Sequence, residues 1–260
     1  MDVLIDRREL LEKAKERGLN LLVIEKDYAL GWLLYGFSKT PNLVFKGGTA
    51  LSKIYFPKIW RLSEDLDFSC LEEAPEFLLE RMPAVIKEAE GASGIEFILR
   101  TSFSNPNYLQ LKIQYVGIIG KNWVKVDVMK NDLVEPPIVR PILAGYSDSL
   151  PFEITVETLE EIFASKLRAA IERKKCRDYF DLWKLTKLEF DRGKLKRVFT
   201  AKLAVKGIEF EGTTQLLPPD IMETLHPYWE RELGRLLHPA PNMEKVLKEL
   251  SGSLGFLDSE

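Results

Sequence analysis

The sequence predicts an α/β (α+β) fold, with a mixed-sheet domain over residues 1–150 that opens with helices and an all-helical domain over 151–260. Three observations predict it. Phe45-Lys46-Gly47-Gly48-Thr49 reads as a strand end, a glycine turn and a helix start. Residues 95–129 hold three runs that alternate or run apolar, separated by turn residues. After Thr155 the apolar spacing becomes helical and stays so to the end.

In chain order, Arg7 to Arg17 is a charged helical segment, and Leu21 to Phe37 carries apolar residues at helical spacing with Asn20 as its cap. Asn42 to Lys46 reads as a short strand, Thr49 to Tyr55 as a helix, Asp65 to Ser69 as a strand and Pro75 to Ala89 as a helix. Ile95 to Thr101, Tyr108 to Val116 and Trp123 to Met129 follow as strands, with turns at Asn105-Pro106-Asn107 and Gly117 to Gly120. Their even spacing favours an antiparallel part of a mixed sheet. Pro136, Pro137, Pro141 and Pro151 punctuate the next segment, so Glu135 to Pro151 reads as a linker. The chain has no internal repeat and no low-complexity tract.

Bulk properties narrow the chemistry. The chain has 260 residues and a net charge of −3, so it can bury a real core but carries no global basic field, and any nucleic-acid contact needs a local patch. Cys70 and Cys176 cannot make a disulfide framework, and with only His226 and His238 no zinc spacing can be built. Most thiol, zinc and histidine chemistry is thereby excluded. The N-terminus lacks an apolar core of signal length, and no stretch approaches the roughly 20 apolar residues of a membrane span. A cytoplasmic protein without membrane contact is expected.

In the strand beginning at Asp65, residues i and i+2 share a face, so Asp65 and Asp67 project together while Leu66 and Phe68 point to the core. Paired carboxylates repel unless a cation sits between them, and Mg²⁺, held by one or two carboxylates plus substrate phosphates, suits them. Gly47 and Gly48, without Cβ atoms, let the backbone approach a triphosphate, and a helix starting at Thr49 adds its dipole. Taken singly, Gly-Gly is an ordinary turn and Asp-x-Asp a solvated strand edge. Together, with Arg61 and Ser63 just before the strand, they read as a metal–nucleotide site of a nucleotidyltransferase. Two-metal transfer calls for a third carboxylate. Asp127, on the opposite face from Val126 and Val128, is the candidate; an ordinary strand aspartate on a solvated face is the alternative.

Four blocks carry a resemblance: Ile24-Glu25-Lys26-Asp27-Tyr28, the run at 45–53, the Arg-Leu-Ser-Glu-Asp-Leu-Asp-Phe run at 61–68, and Arg177-Asp178-Tyr179-Phe180-Asp181-Leu182. In this order, over roughly residues 20–190, they resemble the AbiEii/AbiGii nucleotidyltransferase toxins. The resemblance implies a polymerase-β-like nucleotidyltransferase domain followed by a helical domain, encoded as the toxin of a toxin–antitoxin or phage-defence pair. It implies NTP and Mg²⁺ as reactants, RNA (a tRNA 3′ end) as acceptor, and an antitoxin protein as partner. Asp65, Asp67 and Asp127 would hold the metal, Lys46, Gly47, Gly48, Thr49 and Ser63 would lie near the phosphates, and Lys166 would act as a triphosphate cation. A small-molecule nucleotidyltransferase and a nucleotide-binding regulator without turnover stay open as alternatives.

Lys166 also stands out on the helical wheel through Leu159 to Arg177, where Leu159, Ile162, Phe163 and Ala170 surround it. A lysine in an apolar stripe either snorkels to water or has a partner. The resemblance implies that Asp178 and Asp181, i and i+3 neighbours on one helix, orient it or touch the base. The run Arg173, Lys174, Lys175, Arg177, Lys184, Lys187, with Tyr179 and Trp183 interleaved, could hold an RNA backbone and stack a base, or form a solvated helix face. Lys53 projects away from the apolar side of its helix and reads as a surface lysine. Glu25, Lys26 and Asp27 are expected to cap or pack.

Overall fold

Polar caps and apolar spacing agree at the first two helices. Asp6 accepts the Arg8 N–H ahead of α1 (Arg7–Arg17), and Gly18, at φ 62°, ends it. Asn20 accepts the Leu22 N–H ahead of α2 (Leu21–Phe37), as the sequence predicts. The computed structural model describes residues 5–56, 61–72, 74–142 and 145–258. The first four residues of the N-terminus, read above for a signal sequence, lie outside the described residues. Two compact units divide the chain: Met1–Leu133 with Pro137–Glu157, and Val134–Pro136 with Thr158–Glu260.

The first unit is built on a seven-stranded mixed sheet. Its strands are β1 (Leu43–Lys46), β2 (Asp65–Cys70), β3 (Glu96–Asn105), β4 (Tyr108–Val116), β5 (Lys121–Lys130), β6 (Ile138–Ile142) and β7 (Phe152–Val156), in the order β3-β4-β5-β2-β1-β7-β6. β2 pairs antiparallel with β1 and parallel with β5, so it is central and buried on one face along its length. Leu66 and Phe68 are fully buried, and Phe68 meets Phe37 of α2 at 5.1 Å and Phe45 of β1 at 5.5 Å. Each such side chain contributes roughly 1.5–3 kcal/mol. That apolar face leaves the other one to Asp65 and Asp67. Helix α4 (Phe77–Ser93) follows β2, and β3 and β4 form a hairpin through the predicted 105–107 turn, where Asn105 accepts the Asn107 N–H.

Two expectations change here. The helix expected from Thr49 starts at Gly47: α3 (Gly47–Ala50) follows β1 with no loop, because Gly47 itself makes the turn at φ 77°, and it passes into a π-helical turn at Leu51–Tyr55. The segment 135–151, read as a linker, contains β6, which pairs antiparallel with β7; its residues 143 and 144 lie outside the described set. Prolines misled because β6 is an edge strand. Pro141, opposite Glu153, can there do without a donor N–H that a central strand would need.

The second unit is helical: α5 (Leu159–Arg173), α6 (Cys176–Leu185), α7 (Arg192–Ala204), α8 (Ile221–Leu233) and α9 (Met243–Leu254). Thr158 caps α5 through the Glu161 N–H. Between α5 and α7 lies a buried ion pair, Lys202 to Glu161 at 3.2 Å, and Glu161 also accepts the Val134 N–H. Among the described residues, no helix is long and apolar enough to cross a membrane.

Candidate active site

Alternation along β2 puts Asp65, Asp67 and Ser69 on one face. The parallel ladder to β5 sets Asp65 beside Lys125 and Asp67 beside Asp127. The antiparallel ladder to β4 sets Gln110 beside Asp127 and Lys112 beside Lys125. Three carboxylates from two adjacent strands therefore share one patch. Asp127 Oδ1 accepts from the Tyr108 hydroxyl at 2.6 Å and from Gln110 Nε2 at 3.1 Å, while its Oδ2 meets Lys125 Nζ at 2.7 Å. Burial, with the carboxylate it donates to, pushes the Tyr108 hydroxyl up to about 12, so it stays a donor at neutral pH. Burial alone would lower Lys125, but the hydrogen bond to Asp127 and the charges of Asp65, Asp127 and Asp67 raise it on balance.

The glycine turn closes one side of this patch. A Cβ on Gly47 would stand 2.6 Å from Asp67 Oδ2, and one on Gly48 would stand 2.6 Å from the Arg61 guanidinium and 3.4 Å from Ser63 Oγ. Backbone, carboxylate, guanidinium and hydroxyl are thus brought together around a turn that tolerates no side chain. Thr49 does not offer its hydroxyl to a ligand: it is fully buried and donates to the Asp65 carbonyl, locking the turn to the start of β2. Lys46 also has local partners, Ser69 Oγ at 2.7 Å and Asp132 at 3.4 Å, and Ser69 lies 3.4 Å from Glu157.

The block at 25–27 fastens α2 to loops around the patch. Buried Glu25 accepts the Ile119 N–H at 2.6 Å in the β4–β5 turn; burial raises its pKa and the backbone N–H groups offset part of that. Lys26 reaches Glu64, the residue before Asp65, at 4.0 Å. Asp27 pairs with Lys53 at 2.7 Å and accepts from Tyr146 at 3.0 Å. Lys53 is therefore not a surface lysine; its side chain folds back onto α2.

A second cluster lies within the helical unit. Lys166 is buried, and its ammonium lies 2.9 Å from Asp178 and 2.8 Å from Asp181, both buried on α6. A partnered lysine, rather than a snorkelling one, is what the geometry shows. Arg173 adds a second cation at Asp178. Burial would raise the Asp178 pKa, but Lys166 and Arg173 hold it well below the usual carboxylate range.

The basic run on α6 divides. Tyr179 is fully buried and donates to the Leu216 carbonyl, so it is not a stacking platform. Trp183 donates to Glu249 of α9, between Lys184 and Lys187. Arg177 instead lines an open cleft with Arg231, Glu232, Arg235 and Leu236; the Arg231 guanidinium lies 4.9 Å from the ring of exposed Tyr228.

The residues fit a divalent cation by their chemistry, three oxygen-donor carboxylates in register on one face. They are not closed around one: among the described residues no group of three His, Cys, Asp or Glu side chains is gathered as a metal cage. Sequence reasoning passed over Lys125, Tyr108 and Gln110. The signal for Lys125 was present, since it lies two residues before Asp127 and alternation puts both on one face.

A family profile described as "Nucleotidyl transferase AbiEii toxin, Type IV TA system" matches residues 32–249. No curated protein sequence matches the chain. Among solved structures, the chain is similar to MenT4, a nucleotidyltransferase toxin from Mycobacterium tuberculosis, with a TM-score of 0.78 at 22% identity over 98% of this chain and 90% of that one. It is also similar to JHP933 from Helicobacter pylori, with a TM-score of 0.62 at 20% identity over 92% of this chain and 93% of that one. At such identities these likenesses speak for the fold.

Proposed function

Since this chain belongs to the AbiEii nucleotidyl transferase toxin family of type IV toxin–antitoxin systems and is a nucleotidyltransferase, we propose that it moves a nucleotide from an NTP to RNA at the carboxylate patch of β2 and β5. The observation that carries the reading is the register Asp67↔Asp127 beside the Gly47-Gly48 turn. Asp65, Asp67 and Asp127 would hold Mg²⁺, which when bound would lower the pKa of the acceptor hydroxyl and neutralise the triphosphate. Gly47 and Gly48 leave room for phosphates next to Asp67, and Arg61 and Ser63 border the turn. The acceptor oxygen attacks the α-phosphorus in line as pyrophosphate leaves, so the residues' work is positioning and electrostatics. Tyr108 and Gln110 fix one oxygen of Asp127, which orients the other towards its neighbours on the face. Lys166, oriented by Asp178 and Asp181, is the cation proposed for the triphosphate.

An RNA acceptor, a tRNA 3′ end in particular, is favoured over a small hydroxylated compound by the arginine cleft of the helical unit. Arg177, Arg231 and Arg235 are three planar donors suited to phosphates, and Tyr228 offers a ring for a base. A cognate antitoxin would restrain the toxin, both acting in the cytoplasm. The test is incubation of purified protein with each labelled NTP, Mg²⁺ and total RNA, alongside Asp65→Asn and Asp67→Asn. Label should enter RNA with the native protein only. Label confined to small molecules would exclude the RNA acceptor, and equal labelling by both variants would exclude the metal assignment.

A further inference from the structure

We propose that Lys125 is a resident counter-ion of the carboxylate patch, a positioning residue whose ammonium holds Asp127 in place until a divalent cation displaces it. The inference rests on the assignment of Asp65, Asp67 and Asp127 as metal ligands. Its own ground is the ladder between β2 and β5: Lys125 lies directly beside Asp65, and its Nζ is 2.7 Å from Asp127 Oδ2. Tyr108 and Gln110 occupy Oδ1, so Oδ2 is the oxygen that Asp127 can present to an ion. Ammonium and metal compete for that oxygen.

Electrostatics gives each state a reason. Three carboxylates on one sheet face repel, and one ammonium among them offsets part of their charge while the cation is away. A divalent ion brings twice the charge and takes carboxylate oxygens at shorter range. Departure is open to Lys125, because its side chain keeps 38% of its surface exposed and can turn to water without leaving a cavity. Pairing before the metal arrives also keeps Asp127 from turning away.

The test is a direct metal titration without nucleotide or RNA, Mn²⁺ followed by electron paramagnetic resonance and Mg²⁺ by calorimetry, with melting curves in chelator and in metal. Lys125→Met should bind metal roughly tenfold more tightly, the scale set by one charge repelling a divalent ion about 5 Å away in a largely solvated site. It should also melt lower than the native protein in chelator and gain more on adding metal. Lys125→Arg, which keeps the charge, should stay near native affinity. Lys87→Met, the same charge loss at an exposed residue of α4, should bind as the native protein does. Native-like or weaker binding by Lys125→Met would overturn displacement while leaving the metal site standing, provided Asp67→Asn abolishes binding. Metal binding that Asp67→Asn does not reduce would overturn the site assignment and this inference with it.

Discussion

Gly47→Ala isolates the part of the site that backbone conformation controls. Gly47 sits at φ 77°, where an alanine costs about 1–2 kcal/mol. For a unit of this size, each kcal/mol is worth about 2–4 °C, so the sheet unit's melting temperature should fall by roughly 2–8 °C. The larger effect is on rate. The new Cβ would stand 2.6 Å from Asp67 Oδ2, and ordinary contact begins at 3.4 Å, so the carboxylate must retreat by about 0.8 Å. A displacement near 1 Å in a positioned group costs on the order of 100-fold in rate. The control is Gly91→Ala on α4, where a Cβ meets nothing within 4 Å; it should stabilise by about 0.5–1 kcal/mol and leave transfer unchanged. Melting curves and labelled-NTP incorporation read the two effects separately. A folded Gly47→Ala protein that transfers at the native rate would refute the placing of the turn against a working Asp67.

Three further outcomes are expected. Lys166→Met removes the buried cation shared by Asp178 and Asp181 and should destabilise the helical unit by about 3–5 kcal/mol, with NTP affinity falling in protein kept folded by cold; unchanged affinity would remove Lys166 from the nucleotide site. Asp178 has a folded pKa below its ordinary 3.8, so the unfolded chain binds the proton first: its contribution is complete above about pH 4 and is lost as pH falls through the lower folded value. Acid titration of Asp178→Asn by circular dichroism should lack that step, and an unchanged acid profile would contradict the pairing. Replacing Arg177, Arg231 and Arg235 together by Gln should lower the salt dependence of RNA binding by a slope of about 2, the single-strand value for three phosphates; an unaltered slope would move the RNA elsewhere.

What the sequence by itself determined was set by short-range rules. Asn20 had to cap because its side chain reaches an N–H two residues on, and Asp65 and Asp67 had to share a face because a strand's period is two. The glycine pair before them marked a close backbone approach, and the apolar stripe around Lys166 marked a lysine that either snorkels or has a partner, a choice the structure made in favour of Asp178 and Asp181. Only the tertiary structure decided which strands lie side by side. That β2 borders β5 in parallel, in the register Asp67↔Asp127, depends on packing between segments some sixty residues apart, and no local period contains it. The same strand order put β6 at the edge, where Pro141 is harmless, and so turned an expected linker into a hairpin. It also gave Lys125 its three carboxylates and Glu25 its turn, while helix packing within the second unit buried Tyr179 against Leu216. Partners of this kind are chosen by the fold, because a charge or hydroxyl on a known face still pairs only with what the neighbouring element brings within 3 Å.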